Sequence, residues 1–192
     1  MIAVLAAAVV YPVCATATRL IRAARGDDPA REPTLNAVTF LAHRPPFSEE
    51  APLLAWIRQH VPPGERVAEG VGKGAYGFVG RVASLGGRPV PLGWAHHERQ
   101  WRGINGHKLT RAREGEVDAL YRAESPDDLR RRAAELGVRW VVFGRVERER
   151  YGDTSGDAGV LAQLRRAGSL AAAFPADKPT VYLFSLEPAP PQ

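Results

Sequence analysis

The chain has 192 residues, 26 Lys+Arg against 21 Asp+Glu, a net charge of +5, and 45% hydrophobic residues. That suits about one globular domain and excludes a wholly disordered chain, a collagen-like repeat and a multi-pass membrane protein. Its single cysteine, Cys14, excludes an intramolecular disulfide framework and a Cys-based zinc ribbon, and the small charge excess, mixed with acids throughout, does not argue for nucleic acid.

Residues Met1 to Thr18 carry no ionisable side chain. At about 1.5 Å per residue such a helix is just short of a bilayer core. Three readings stand: a signal peptide with Ala15-Thr16-Ala17 at its cleavage site, a single transmembrane anchor, or the last membrane helix of a longer protein. A buried core helix is the fourth, disfavoured by the lack of a polar face. The expectation is a membrane helix or anchor over 1–22, then a polar linker over 23–32 that includes Asp27, Asp28 and Pro29. Arg19, Arg22 and Arg25 favour a cytoplasmic flank by the positive-inside rule.

A globular unit then runs over 33–186, and a Pro-rich tail over 187–192. Ser48 to His60 predicts a helix, with Leu53, Leu54, Trp56 and Ile57 at helical spacing, Ser48 as N-cap and Pro62-Pro63 as its stop. Arg66 to Val71 predicts a strand, Tyr76 to Leu85 a helix and Pro89 to Trp94 a strand. Glu114 to Tyr121 predicts a helix, and Ser125-Pro126-Asp127-Asp128 opens the next one, which ends at Gly137. Val138 to Phe143 is an unbroken apolar strand of the kind covered on both faces. Ala158 to Ala167 predicts a helix and Thr180 to Leu186 a last strand. Alternating helices and strands imply an α/β fold, a mixed sheet with helices packed on it.

Gly72-Lys73-Gly74-Ala75-Tyr76-Gly77 spells a G-x-G-x-x-G loop. With 19 glycines and no acid closing the following strand, dinucleotide binding is not favoured and no cofactor is expected. His96, His97, Glu98 and His107 could ligate a metal, but an H-E-x-x-H helix fails at Trp101, so no metal site is expected. The informative stretch is Gly93 to Gly103, GWAHHERQWRG. Trp with Arg, His and Glu is the mixture that recognises sugars or anionic groups by stacking and paired hydrogen bonds. The alternative is structural, with both Trp rings in the core and Glu98 pairing Arg102 along a helix.

The order of segments resembles the C-terminal end of the uncharacterised multi-pass membrane proteins of the Chlor_Arch_YYY family. The likeness rests on Pro33-Thr34-Leu35, the Trp56 helix, Ala75-Tyr76, Gly80-Arg81-Val82-Ala83 and Pro91-Leu92-Gly93-Trp94. It continues through His97-Glu98, Gln100-Trp101-Arg102-Gly103, Arg113, Val117, Tyr121, Gly137 to Val142, Gly144, Glu147-Arg148 and Tyr151. That family is similar in layout to lipid-linked-sugar glycosyltransferases, with many membrane helices and then an extracytoplasmic domain. The resemblance implies a membrane location and the soluble terminal domain of such a protein, not catalytic alone. It would contribute acceptor or sugar-phosphate contacts through Trp94, His97, Glu98, Trp101 and Arg102. The partner would be a polyprenyl-linked sugar or, in the rival reading, a separate multi-pass membrane protein docked by a non-catalytic interaction module.

Overall fold

The computed structural model describes residues 2–25, 36–43, 47–72, 77–152 and 159–186. Its centre is a four-stranded mixed sheet in the order β1-β2-β4-β3. β1 (Arg66–Ala68) runs parallel to β2 (Val138–Phe143), while β4 (Val181–Leu186) is antiparallel to both β2 and β3 (Gly168–Phe174). Because the strand period is two, alternate residues of each strand enter different layers. Ala68, Val141, Phe143, Phe184 and Leu186 join an apolar cluster with Leu120, Leu129, Leu136 and Leu164. These last come from α6 (Gly106–Tyr121), α7 (Pro126–Leu136) and α9 (Val160–Ala167). On the opposite face Val67, Val142, Val181 and Leu183 join Leu53, Leu54 and Ile57 of α3 (Ala51–His60). The expected α/β architecture, a mixed sheet with helices packed on it, is therefore what forms.

Local signals account for several of these elements. The Ser125 hydroxyl accepts from the Asp128 amide at 3.1 Å, Pro126 occupies the first turn, and Gly137 closes α7 in the left-handed region at φ 63°. Three expectations differ. Ser48 does not cap: Ser48–Glu50 is a 3-10 turn ahead of α3, and neither its N-cap nor that of α3 makes a side-chain capping bond. Pro89 to Trp94 is not a strand, since Pro89 and Pro91 have no N–H to give to a ladder, although the Pro89 carbonyl accepts from Val67 at 2.9 Å. Gly93 to Gly103, which follows that expected strand, is mostly helical, as α5 (Ala95–Trp101). The helix expected over Tyr76 to Leu85 is reduced to α4 (Arg81–Ser84), with Tyr76 outside the described residues.

α2 (Ala37–Ala42) and α8 (Arg145–Tyr151) are further helices. The membrane helix expected over 1–22 coincides with a helix, α1 (Ile2–Ala24), but the span itself is not found. Among the described residues no helix is long and apolar enough to cross a membrane. Tyr11, Pro12, Thr16 and Thr18 dilute the apolar run, and Arg19 and Arg22 lie inside the helix. Most of the expected linker and the whole expected tail lie outside the described residues, as do Lys73 to Tyr76 of the glycine loop.

Candidate functional site

The five residues singled out in the sequence occupy one short helix and its ends. Trp94 stands at the N-cap of α5, half-buried, and its indole N–H points at the carbonyls of Val79 and Gly77, the latter at 3.2 Å. The His97 ring meets it edge-on, with centroids 5.5 Å apart. Glu98 accepts from the Gly93 amide at 3.1 Å through one oxygen and from Arg102 at 3.1 Å through the other. Glu98 thus closes the first turn of its own helix and forms the i,i+4 pair that the structural reading foresaw. Trp101 is 86% exposed and reaches no other ring among the described residues. The helix thus uses Glu98, Arg102 and Trp94 in its own hydrogen bonds, while exposed Trp101 departs from the structural alternative, which placed both Trp rings in the core. Two clefts among the described residues lie away from this helix: one of about 260 Å³ beside Arg113, Glu116, Arg132 and Glu135, another of about 470 Å³ beside Val38, Arg58 and Ser84.

α5 is fixed to α6 by Arg99, which donates to the Thr110 hydroxyl at 2.9 Å and to Glu114 at 3.0 Å. Gly106 lies so close to the Arg99 backbone that a Cβ there would be 2.5 Å from its carbonyl oxygen. Only glycine fits that approach.

A second constellation sits past the carboxyl ends of the parallel pair β1 and β2, where α/β sheets commonly place their sites. The guanidinium of Arg81 is 1% exposed and faces three buried carboxylates. It bonds Glu50, Glu69 at 3.1 Å and Glu147 at 2.9 Å. Each carboxylate is also fed by backbone amides: Glu50 by Arg145 at 3.1 Å, Glu69 by Val82 at 3.1 Å, and Glu147 by Gly70 at 2.6 Å and Gly144 at 2.8 Å. A Cβ on Gly144 would lie 2.7 Å from a Glu50 oxygen, so a larger residue in the turn after β2 would displace that carboxylate. The Phe78 ring centroid lies 5.3 Å from the Arg81 guanidinium carbon and 4.2 Å from that of Phe47, the two rings tilted by 31°. The cluster ties α3, β1, α4 and α8 to one point.

One cation against three carboxylates leaves excess negative charge in a dry setting, which favours a bound proton. Burial, reinforced by Glu147 and opposed by Arg81, pushes the Glu69 carboxyl up to about 7. Burial likewise raises Glu50, against Arg81. A folded-state value above the ordinary 4.5 means that the folded protein holds the proton more tightly than the unfolded chain. This contribution to stability is complete below pH 4.5 and is lost as pH rises through about 7. Thermal melts from pH 5 to 8 should show declining stability, and Glu69→Gln should flatten that slope. An unchanged slope in Glu69→Gln would place the proton elsewhere.

In the sequence Arg81 and Glu147 stand only as points of family likeness, and nothing there joins them to Glu50 or Glu69. A second surface pair is Asp118 with Arg150, bonded twice at 2.8 Å, and Tyr151 donates to the same Asp118 at 2.9 Å. Among the described residues no three His, Cys, Asp or Glu side chains are grouped to hold a metal ion.

No family model and no curated protein matches this chain. Among solved structures it is similar to the C-terminal globular domain of an oligosaccharyltransferase from Archaeoglobus fulgidus. The two share 10% identity with a TM-score of 0.43, over 71% of this chain and 95% of that domain.

Proposed function

We propose that this chain is a non-catalytic accessory domain of a glycosyltransferase-like membrane system, working on the extracytoplasmic side and acting through an interaction surface. The observation that carries this reading is the fate of the α5 polar groups. Glu98 and Arg102 pair with each other and the Trp94 indole N–H is tied to backbone carbonyls, so part of their hydrogen-bonding capacity is spent within the protein. The Arg81 cluster is buried and internally satisfied, which suits a structural hub better than a reaction centre. The membrane setting draws on the uncharged run Met1 to Thr18 and on Val10, Tyr11, Val13, Leu20 and Ile21, which are exposed on α1. The glycosylation setting draws on the resemblance of Gly93 to Gly103 and its flanking motifs.

The competing reading gives Trp94, His97, Glu98, Trp101 and Arg102 direct acceptor or sugar-phosphate contacts. Arg102→Ala separates the two. The pair it breaks is exposed and contributes about 0.3 to 0.5 kcal/mol, so the melting temperature should barely move. On the accessory reading, transfer of the lipid-linked sugar in the source cells stays at its parental level. Abolished transfer with intact melting would restore direct sugar-phosphate contact. Deleting residues 36–186 should lower that transfer, and undiminished transfer would overturn the proposed function itself.

A further inference from the structure

The bend between α5 and α6 displays exposed apolar side chains among the described residues. Trp101 is 86% exposed, Ile104 97% and Leu109 52%, all within nine residues of chain. Single exposed apolar residues need no explanation, but a Trp and an Ile three residues apart at the tip of a turn form a protrusion. The turn is rigid, because Arg99 bridges to Thr110 and Glu114 and Gly106 packs on the Arg99 backbone. Its apolar side chains are therefore presented at little further cost in ordering.

Along the chain the bend is basic, although Arg99, Arg102 and Arg113 are paired in space with Glu114, Glu98 and Glu116. From Arg99 to Arg113 the chain carries Arg99, Arg102, Lys108, Arg111 and Arg113, and no acid. Lys108 and Arg111 are exposed, stand at i,i+3 on α6 and form no ion pair among the described residues. From these observations we infer that the α5–α6 bend is a membrane-surface foot, which inserts Trp101 and Ile104 at the headgroup level of an anionic bilayer while Lys108 and Arg111 contact its phosphates. A Trp ring suits that boundary, apolar in body with one N–H donor for the wet side. Each cation near an anionic leaflet adds attraction, and the apolar tip adds burial. A second copy of the chain fits less well, since it would bring the same basic rim against itself. The inference deepens the proposed membrane setting and rests on it.

Partition of the full chain onto vesicles tests it, using phosphatidylcholine with and without phosphatidylglycerol. α1 is present in every sample, so the comparison among variants carries the result. Trp101→Ser/Ile104→Ser and Lys108→Glu/Arg111→Glu change exposed side chains only, and their melts should match the parent. Each should partition onto the anionic vesicles about tenfold more weakly than the parent. Acyl-chain-brominated lipid should quench a fluorescence component that Trp101→Phe lacks. Equal partition of parent and variants, equal affinity for neutral vesicles, or quenching unaltered by Trp101→Phe would each overturn the inference. So would a parent dimer that Trp101→Ser/Ile104→Ser converts to monomer without altering vesicle binding. If partition is unchanged while deletion of 36–186 still lowers sugar transfer, the foot fails and the accessory function stands. The opposite pair of results retains the foot and removes the function.

Discussion

Arg81→Met should abolish cooperative folding at neutral pH. The side chain removed is the one cation within a set of three carboxylates, all of them 1% exposed or less. Removing one partner of a buried ion pair costs about 3 to 5 kcal/mol, because the other charge stays buried and unpaired. Here one substitution leaves three buried carboxyl groups without their cation, against a total stability of about 5 to 15 kcal/mol. The pH response identifies the cause. Without Arg81 the carboxylates can remain buried only by taking up protons, so the variant should regain part of its thermal transition near pH 5 and lose it by pH 8. Added salt should rescue little, since the cluster is out of reach of mobile ions. Arg81→Lys should recover only part of the loss, because an ammonium cannot reproduce a planar fork directed at three carboxylates. A variant Arg81→Met that melts like the parent at pH 7.5 would show that the cluster is not the hub of this fold.

Where the sequence was readable, one local rule sufficed. Val138 to Phe143 shows its double burial as an unbroken apolar run, and α7 announces both ends through Ser125, Pro126 and Gly137. β3 was unreadable for the converse reason. Its residues, GSLAAAF, are mostly small with weak strand preference, and they are extended because β4 pairs with them from Gly168↔Leu186 to Phe174↔Val181. α5 was hidden by its composition, since AHHERQW sets five polar side chains between Ala95 and Trp101 and gives no apolar stripe to count.

The site divides in the same way. The Glu98–Arg102 pair lies four residues apart and could be named from spacing alone. The Arg81 cluster joins partners 31, 12 and 66 residues away, and no local pattern marks one Arg among so many. Two signals were nonetheless present: Glu69 follows a strand and precedes Gly70, and Glu147 stands three residues after Gly144 at the end of another strand. A carboxylate beside glycine at the carboxyl end of a buried strand has backbone amides to accept from and little water. It needs a cation from elsewhere in the fold.

The other large effect belongs to the middle of the sheet. Val141 is fully buried, paired with Ala68 on one side and Phe184 on the other. It shares its apolar cluster with Leu120, Leu129 and Phe143, while its neighbour Val142 belongs to the cluster across the sheet. Val141→Asp places a carboxylate where no cation or free amide waits, as the strand's own amides serve the ladders to β1 and β4. The group must enter charged, at a cost of several kcal/mol, or take up a proton and still lack partners for its oxygens. Either route is comparable to the whole stability of a domain of this size, so the variant should be unfolded or insoluble. Val141→Ala provides the scale: it loses two methyl groups and should fold with about 2 kcal/mol less stability. The two substitutions together separate charge from volume. If Val141→Asp melted within a few degrees of Val141→Ala, β2 would have to lie at a wet edge, and the sheet order β1-β2-β4-β3 would be wrong.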